Sequence, residues 1–379
     1  MKLFSVSSPI IFYFSQTIAS RNKKEDNLLF MWYMKGNERH LNSYNLMLEE
    51  SVWGKEIAYN KAHDYNNISG KNILKAVNQI IKIEKEIMKI IVNNKIDEIF
   101  IGNRHAPIDR LLHNIGNKIG INVHLVEDGL TNYLDFLYYK EQNVKFLSKE
   151  NFKEIVKKVY INVIKRKEIY DLSIELEFND IYAVFDEKYS LQNYKDSVIG
   201  INFNDNKLNY IKLLDLLKED NVYNMLLKTN NQETVLLLTQ TLSEDGLLPI
   251  DKELELISNF LILYHKNKKV IIKPHPRDED SKIEALINTL TQKGLDVILF
   301  TNNIPVPVEL IITKLNIKNV IGIWSASVLY LPKIDNKIQT TSMLPFILNE
   351  CENEVIDVSK LKRIYESLSL KFDNETNWL

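Results

Sequence analysis

The chain has 379 residues, of which 45% are hydrophobic and 26% charged, enough apolar material to bury two cores of ordinary domain size. Forty-eight basic residues against fifty acidic ones leave a net charge of -2, which excludes a global basic field for holding a nucleic-acid backbone. A single cysteine, Cys351, excludes an intrachain disulfide and any cysteine-rich metal site, and fits a reducing, cytoplasmic setting.

Met1 to Phe14 is apolar but broken by Ser5, Ser7, Ser8 and Pro9. This pattern predicts a strand at Leu3–Val6, a turn, and a helix opening on the proline, rather than an export signal. No other stretch approaches the roughly 20 apolar residues that a membrane-spanning helix requires. Strands are then predicted at Leu28–Trp32, Glu98–Gly102 and Asn122–Val126, with a long helix at Ile73–Asn93. Apolar runs alternating with helical periodicity mark a parallel sheet with helices on its faces. From Glu141 to about Glu187 the chain is charged and helix-prone, and Tyr189 to Asp205 carries turn formers around one short apolar run. A second alternating series follows at Val235–Thr239, Val270–Lys273, Val297–Phe300 and Val320–Ile323, and helices are expected after about Pro345. The fold class is α/β, two Rossmann-like domains facing a cleft, with boundaries at 1–190 and 191–345 and a helical tail at 346–379. In such sheets ligands bind beyond the carboxyl ends of the strands.

Chemistry-bearing residues fall at those ends. Asn122–Val126 runs into Glu127-Asp128-Gly129, two acids followed by a residue free to take positive φ. A carboxylate there can take a proton from a hydroxyl, as a general base, although acidic turns are also common after strands. Val270–Ile272 runs into Lys273-Pro274-His275-Pro276-Arg277, where two prolines pin His275 in a non-helical turn between cations. That imidazole suits an anionic leaving group, protonating it or hydrogen-bonding it while neutral. Glu309, after Pro305-Val306-Pro307-Val308, either complements a helix dipole or accepts from ribose hydroxyls. Val320–Ile323 runs into Trp324-Ser325-Ala326-Ser327, an anion site or ordinary serine capping. A second triplet, Glu244-Asp245-Gly246, makes Asp245 an alternative base. Asn103 and His105, after the strand ending at Gly102, are candidate substrate contacts, although His105 could equally begin a helix in a structural role. Asp278-Glu279-Asp280 resembles a metal-binding acid run but also opens a helical stretch, and the dipole reading is preferred.

Taken in order, Glu127-Asp128-Gly129, His275-Pro276, the Pro-x-Glu element at Glu309 and Ser325 with Ser327 resemble the bacterial sialyltransferases, chiefly glycosyltransferase family 52 with its relatives in families 38 and 80. The serine pair common in those relatives is split here by Ala326. The resemblance implies a GT-B fold and inverting transfer of sialic acid from CMP-sialic acid to a hydroxyl of a galactose-terminated or sialylated glycan, on a surface polymer such as lipooligosaccharide or capsule. It implies Asp128 as base, with Glu127 and Gly129 beside it, and His275 on the leaving phosphate. Glu309 would hold the ribose, Lys273 and Pro276 would lie near the nucleotide, and Ser325 and Ser327 would bind the phosphate. CMP leaves with one phosphate whose charge protein donors can offset, so no metal or other cofactor is expected. A polysialyltransferase, a transferase of another CMP-activated keto-sugar acid such as CMP-Kdo, and a non-catalytic nucleotide- or carbohydrate-binding protein remain as alternatives. No nucleic-acid partner is expected; the reading allows a homodimer and peripheral contact with the inner face of the cell membrane, to which Lys157-Lys158 and Lys165-Arg166-Lys167 could contribute.

Overall fold

The computed structural model describes residues 1–33, 39–60, 73–133, 169, 174–189, 197–203, 210–219, 223–224, 234–300, 306–312, 315, 317–352, 358–372 and 376–378. The chain divides into two compact units, Met1–Tyr210 and Ile211–Leu379.

The first unit is built on a seven-stranded sheet: β1 (Lys2–Val6), β2 (Asn27–Trp32), β3 (Lys55–Tyr59), β4 (Glu98–Ile101), β5 (Asn122–Val126), β6 (Asp180–Ala183) and β7 (Ser197–Gly200). Every pairing is parallel, and the spatial order is β3-β2-β1-β4-β5-β6-β7. The order reverses between β1 and β4, the topological switch point of a doubly wound sheet. Strands buried on both faces are read as continuous apolar runs, and β2 is buried at all six positions. Helix α1 (Pro9–Ala19) starts where the sequence predicts, with Pro9 in its first turn and the Ser8 hydroxyl capping the Ile11 amide at 3.3 Å. Helices α2 (Arg39–Met47), α3 (Ile73–Asn93) and α4 (Pro107–Ile119) complete the main layers. Ile83, Ile87 and Ile91 of α3 are buried at four-residue spacing, as its periodicity requires. Phe4 stacks on Phe100 at 4.4 Å between centroids, and Phe100 on His124 at 4.6 Å, so aromatic packing runs across β1, β4 and β5.

The second unit carries a six-stranded parallel sheet: β8 (Thr234–Leu238), β9 (Lys269–Lys273), β10 (Val297–Leu299), β11 (Asn319–Gly322), β12 (Gln339–Ser342) and β13 (Asn377–Trp378). Its order, β10-β9-β8-β11-β12-β13, repeats the doubly wound pattern with the switch between β8 and β11. Its helices are α5 (Ile211–Glu219), α6 (Ile250–His265), α7 (Asp280–Gln292), α8 (Val308–Ile311), α9 (Ala326–Ile334), α10 (Leu344–Glu352) and α11 (Ser359–Phe372).

Three expectations change. The units divide at 210/211 rather than near 190, because β7 completes the first sheet by pairing with β6. The helix-prone middle contains β6, whose Asp180-Ile181-Tyr182-Ala183 pairs in register with His124 to Val126 of β5 and with β7. Residues 346–379 are no appended tail, since β13 pairs with β12 and Cys351, Leu361 and Leu368 are buried in the second core. Most of 141–187, with Lys157-Lys158 and Lys165-Arg166-Lys167, lies outside the described residues. Among the described residues no helix is long and apolar enough to cross a membrane.

Candidate functional site

In the first unit the sequence-predicted acids leave β5 in different directions. Glu127 is fully buried and accepts from the Tyr133 hydroxyl at 2.7 Å and the Val184 amide at 2.5 Å, tying the end of β5 to the segment after β6. Its charge is spent inside the fold. Asp128 is partly exposed, accepts from the Ser8 hydroxyl at 3.3 Å, and precedes Gly129 at φ 65, the positive angle expected from the sequence. Burial pushes the Asp128 carboxyl up to about 7, against the opposing pull of Ser8. A carboxyl poised there is matched to general-base work near neutral pH.

Two buried groups that carry no sequence motif, Tyr44 and Asp109, feel the charge of Asp128. Tyr44 of α2 is completely buried, its hydroxyl makes no hydrogen bond among the described residues, and burial together with the Asp128 charge raises its pKa well above the usual phenol range. Asp109, in the first turn of α4, is also completely buried, accepting from Ser5 Oγ at 2.5 Å, Trp32 Nε1 at 3.2 Å and the Asn103 amide at 2.8 Å. Burial pushes Asp109 up to about 7; its three donors oppose this and the Asp128 charge adds to it. Asn103 and His105 are brought together as a turn: Asn103 Oδ1 accepts from the amides of His105 and Ala106 at 3.0 and 3.1 Å. His105 Nε2 accepts from Arg104 Nε at 3.3 Å, and burial, with the charges of Arg104 and Arg110, drives its pKa down to about 3. It is a neutral imidazole in a cationic, polar loop at the end of β4.

In the second unit the proline-flanked turn is fastened from behind. The His275 amide donates to Thr239 Oγ1 and to Asp278 Oδ2, both at 2.8 Å, and the Thr239 hydroxyl donates to the same Asp278 oxygen. Asp278 in turn receives the ammonium of Lys282 at 3.0 Å. Lys282 is completely buried and also meets Glu253 at 2.8 Å, Glu244 at 2.9 Å and the Gln240 carbonyl at 2.7 Å. The acid run Asp278-Glu279-Asp280 is thus absorbed by the turn and by the start of α7, and among the described residues no cluster of His, Cys, Asp and Glu is placed to hold a metal ion.

His275 Nδ1 accepts the Arg277 amide at 3.2 Å, which places the ring proton on Nε2 and makes that nitrogen a donor. Burial, reinforced by Arg277 and Lys273, lowers its pKa to about 4 despite Asp278 and Asp245. In the unliganded protein it is a neutral hydrogen-bond donor at pH 7. Asp245 is paired: Arg277 meets both its oxygens, at 3.0 and 3.1 Å, and Thr241 donates to it at 2.7 Å. Burial works to raise its pKa, but those donors and the guanidinium outweigh it and hold the carboxyl below the usual range. Pro276 is exposed at the apex of the turn.

Lys273, Glu309 and Ser327 form a second group. Glu309 is buried at the start of α8, its pKa raised by burial and eased down by a hydrogen bond from Ser327 and by the Lys273 charge. Lys273 is correspondingly lowered by burial and supported by Glu309, and its ammonium has no other partner among the described residues. Ser325 occupies the N-cap position of α9 but its side chain makes no capping bond, so the hydroxyl is not committed to the helix. An acid, a cation and hydroxyls at strand ends and a helix start make a set able to hold a ribose and a phosphate.

Solved structures similar over the whole chain share the fold. The UDP-GlcNAc 2-epimerase of Methanocaldococcus jannaschii is 14% identical with a TM-score of 0.50, over 100% of this chain and 95% of that one. The UDP-GlcNAc 2-epimerase of Neisseria meningitidis, bound to UDP-GlcNAc, is 12% identical with a TM-score of 0.51, again over 100% and 95%. A putative UDP-N-acetylglucosamine 2-epimerase of Listeria monocytogenes is 10% identical with a TM-score of 0.52, over 99% and 88%. With the two doubly wound sheets, they establish paired Rossmann-like domains of GT-B type. No curated protein sequence matches the chain. The family model for alpha-2,8-polysialyltransferase (POLYST) matches residues 2–344, which include every motif residue named above. The chain therefore belongs to the alpha-2,8-polysialyltransferase family, a family of sialyl-transferring glycosyltransferases.

Proposed function

We propose that the chain transfers sialic acid from CMP-sialic acid to a hydroxyl of a sialylated acceptor, with inversion at the anomeric carbon and without a metal. Asp128 takes the proton of the acceptor hydroxyl, the new carbon–oxygen bond forms, and the bond to the CMP phosphate breaks with its electron pair passing to that phosphate. His275 donates from Nε2 to the departing phosphate, whose negative charge also favours transient protonation of the ring. Lys273, Ser325 and Ser327 offset phosphate charge, and Glu309 accepts from the ribose. Glu127 shapes the end of β5 and Gly129 gives the turn, while Asn103 and His105 meet the acceptor.

The observation that carries the assignment of roles is the contrast between the two candidate bases. Asp128, which accepts from the neutral Ser8 hydroxyl, holds its proton to about 7, whereas Asp245 is clamped by Arg277 and held below the usual carboxylate range. Asp245 accordingly orients Arg277 and the His275 turn. The family match favours a sialylated acceptor, on a capsule-type polymer, over the galactose-terminated lipooligosaccharide that the motifs equally allow.

The test supplies CMP-sialic acid, CMP-Kdo or UDP-galactose with a fluorescent oligosialyl-lactose or plain lactose acceptor, with and without EDTA. Chain extension from CMP-sialic acid alone, undiminished by EDTA, is expected. Transfer confined to UDP-galactose or to CMP-Kdo would overturn the donor, and loss of activity in EDTA the metal independence.

A further inference from the structure

Gln240 follows β8, the central strand of the second sheet, at the switch point where β8 lies between β9 and β11. Its carbonyl is held by the buried Lys282 at 2.7 Å, and its side-chain Oε1 accepts the Trp324 amide at 2.8 Å. A backbone N–H can only donate, so this contact fixes which end of the amide is oxygen and sends Nε2 the other way. The residue is 9% exposed, and among the described residues Nε2 has no hydrogen-bond partner. An amide nitrogen that is anchored at two points, nearly buried and left with two unmet protons is costly unless a ligand or water accepts from it. Its neighbours are the strand ends already described. Thr239, the residue before it, holds the His275 amide, and Trp324 leads directly into Ser325.

We infer that Gln240 is a substrate-binding residue whose Nε2 donates to an anionic oxygen of the nucleotide-sugar donor. This rests on the proposed donor chemistry. Two oxygens of that donor have the required character, the phosphate and the carboxylate of the sugar acid, and the experiment separates them.

The substitution Gln240→Glu keeps the shape and the acceptor for Trp324 while replacing the donor with an oxygen that repels an anion. Binding of CMP is measured by titration calorimetry, and KM for CMP-sialic acid by turnover, in the intact protein with its fold checked by circular dichroism. CMP binding weakened by about tenfold or more, the scale of a lost charged hydrogen bond, assigns the contact to the phosphate. Unchanged CMP binding with a comparable rise in KM for CMP-sialic acid assigns it to the sugar carboxylate. In either case affinity should recover toward low pH as the introduced carboxyl gains a proton and again donates. Unchanged CMP affinity and unchanged KM would overturn the inference alone, whereas a wild-type protein that binds no CMP would overturn the donor reading as well. Should Gln240→Glu fail to fold, Gln240→Met carries the same affinity prediction without the recovery at low pH.

Discussion

If Asp128 is the base, the pH dependence of kcat/KM is set by its ionisation in the free enzyme. With its pKa at about 7, the carboxyl is ionised in about one molecule in ten at pH 6 and about nine in ten at pH 8. The acidic limb should therefore climb about tenfold between those values and level off above them. Asp245 predicts a different curve, because a carboxyl held below the usual range is fully ionised by pH 6 and would give a flat profile there. His275 adds no descending limb in this window: at about 4 it is already neutral, and it acts as a donor through Nε2. The assay is initial-rate release of CMP at subsaturating CMP-sialic acid over pH 5 to 9, in constant ionic strength. Asp128→Asn, which still offers Ser8 an acceptor, should lower kcat by about 10²–10⁴ and abolish the limb. A wild-type profile that is flat or falling from pH 6 to 8 would refute the assignment, as would an Asp128→Asn variant of normal rate.

Further predictions follow from individual contacts. Asp245→Asn releases Arg277 from a half-exposed pair, so stability should change by no more than about 1 kcal/mol and turnover by less than about tenfold, checked by urea denaturation and initial rates. Lys282→Met leaves Asp278, Glu253 and Glu244 without their shared cation and should cost about 3–5 kcal/mol of stability, seen as a lowered denaturation midpoint. Gly102→Ala would place a Cβ 2.3 Å from Ile11 Cγ2, inside van der Waals contact between the end of β4 and α1, and should destabilise by about 1–3 kcal/mol. Asp109 and Asp128 are both raised from 3.8 to about 7, so the fold binds more protons than the unfolded chain between those values. Their contribution to stability is full below about 4 and is lost as pH rises through 7; denaturation of Asp109→Asn should show a smaller decline over that interval than wild type.

What could be read from the sequence followed from how each element is buried. Parallel strands covered on both faces appear as unbroken apolar runs, which is why β1, β2, β4, β5, β8, β9 and β11 were legible, and the edge strand β10 was legible because it too is a short apolar run. The missed strands lack that signal. β3 and β7 are edge strands with mostly exposed or half-exposed side chains, β12 is the polar run Gln339-Thr340-Thr341-Ser342, β13 has two residues, and β6 alternates within a charged region. At the site, the two prolines gave the rigidity of the His275 turn. The two Glu-Asp-Gly triplets, however, are indistinguishable in sequence, and only the placement of Arg277 against one and Ser8 near the other separates them. Glu127 shows the same limit, since nothing local says that its side chain turns inward to Tyr133. Gln240, Lys282, Asp109 and Tyr44 carry no motif, because their partners come from remote segments: Gln240 meets Trp324 eighty-four positions away, and Asp109 meets Ser5 across one hundred and four.

The most direct test of the account is radiolabelled sialic acid transfer from CMP-sialic acid to an oligosialic acid acceptor, run side by side for wild type, Asp128→Asn, His275→Ala and Asp245→Asn. Wild type and Asp245→Asn should give an elongated product, with losses of about 10² or more for Asp128→Asn and His275→Ala. Equal rates for wild type, Asp128→Asn and His275→Ala, or elongation that fails only in Asp245→Asn, would contradict these roles.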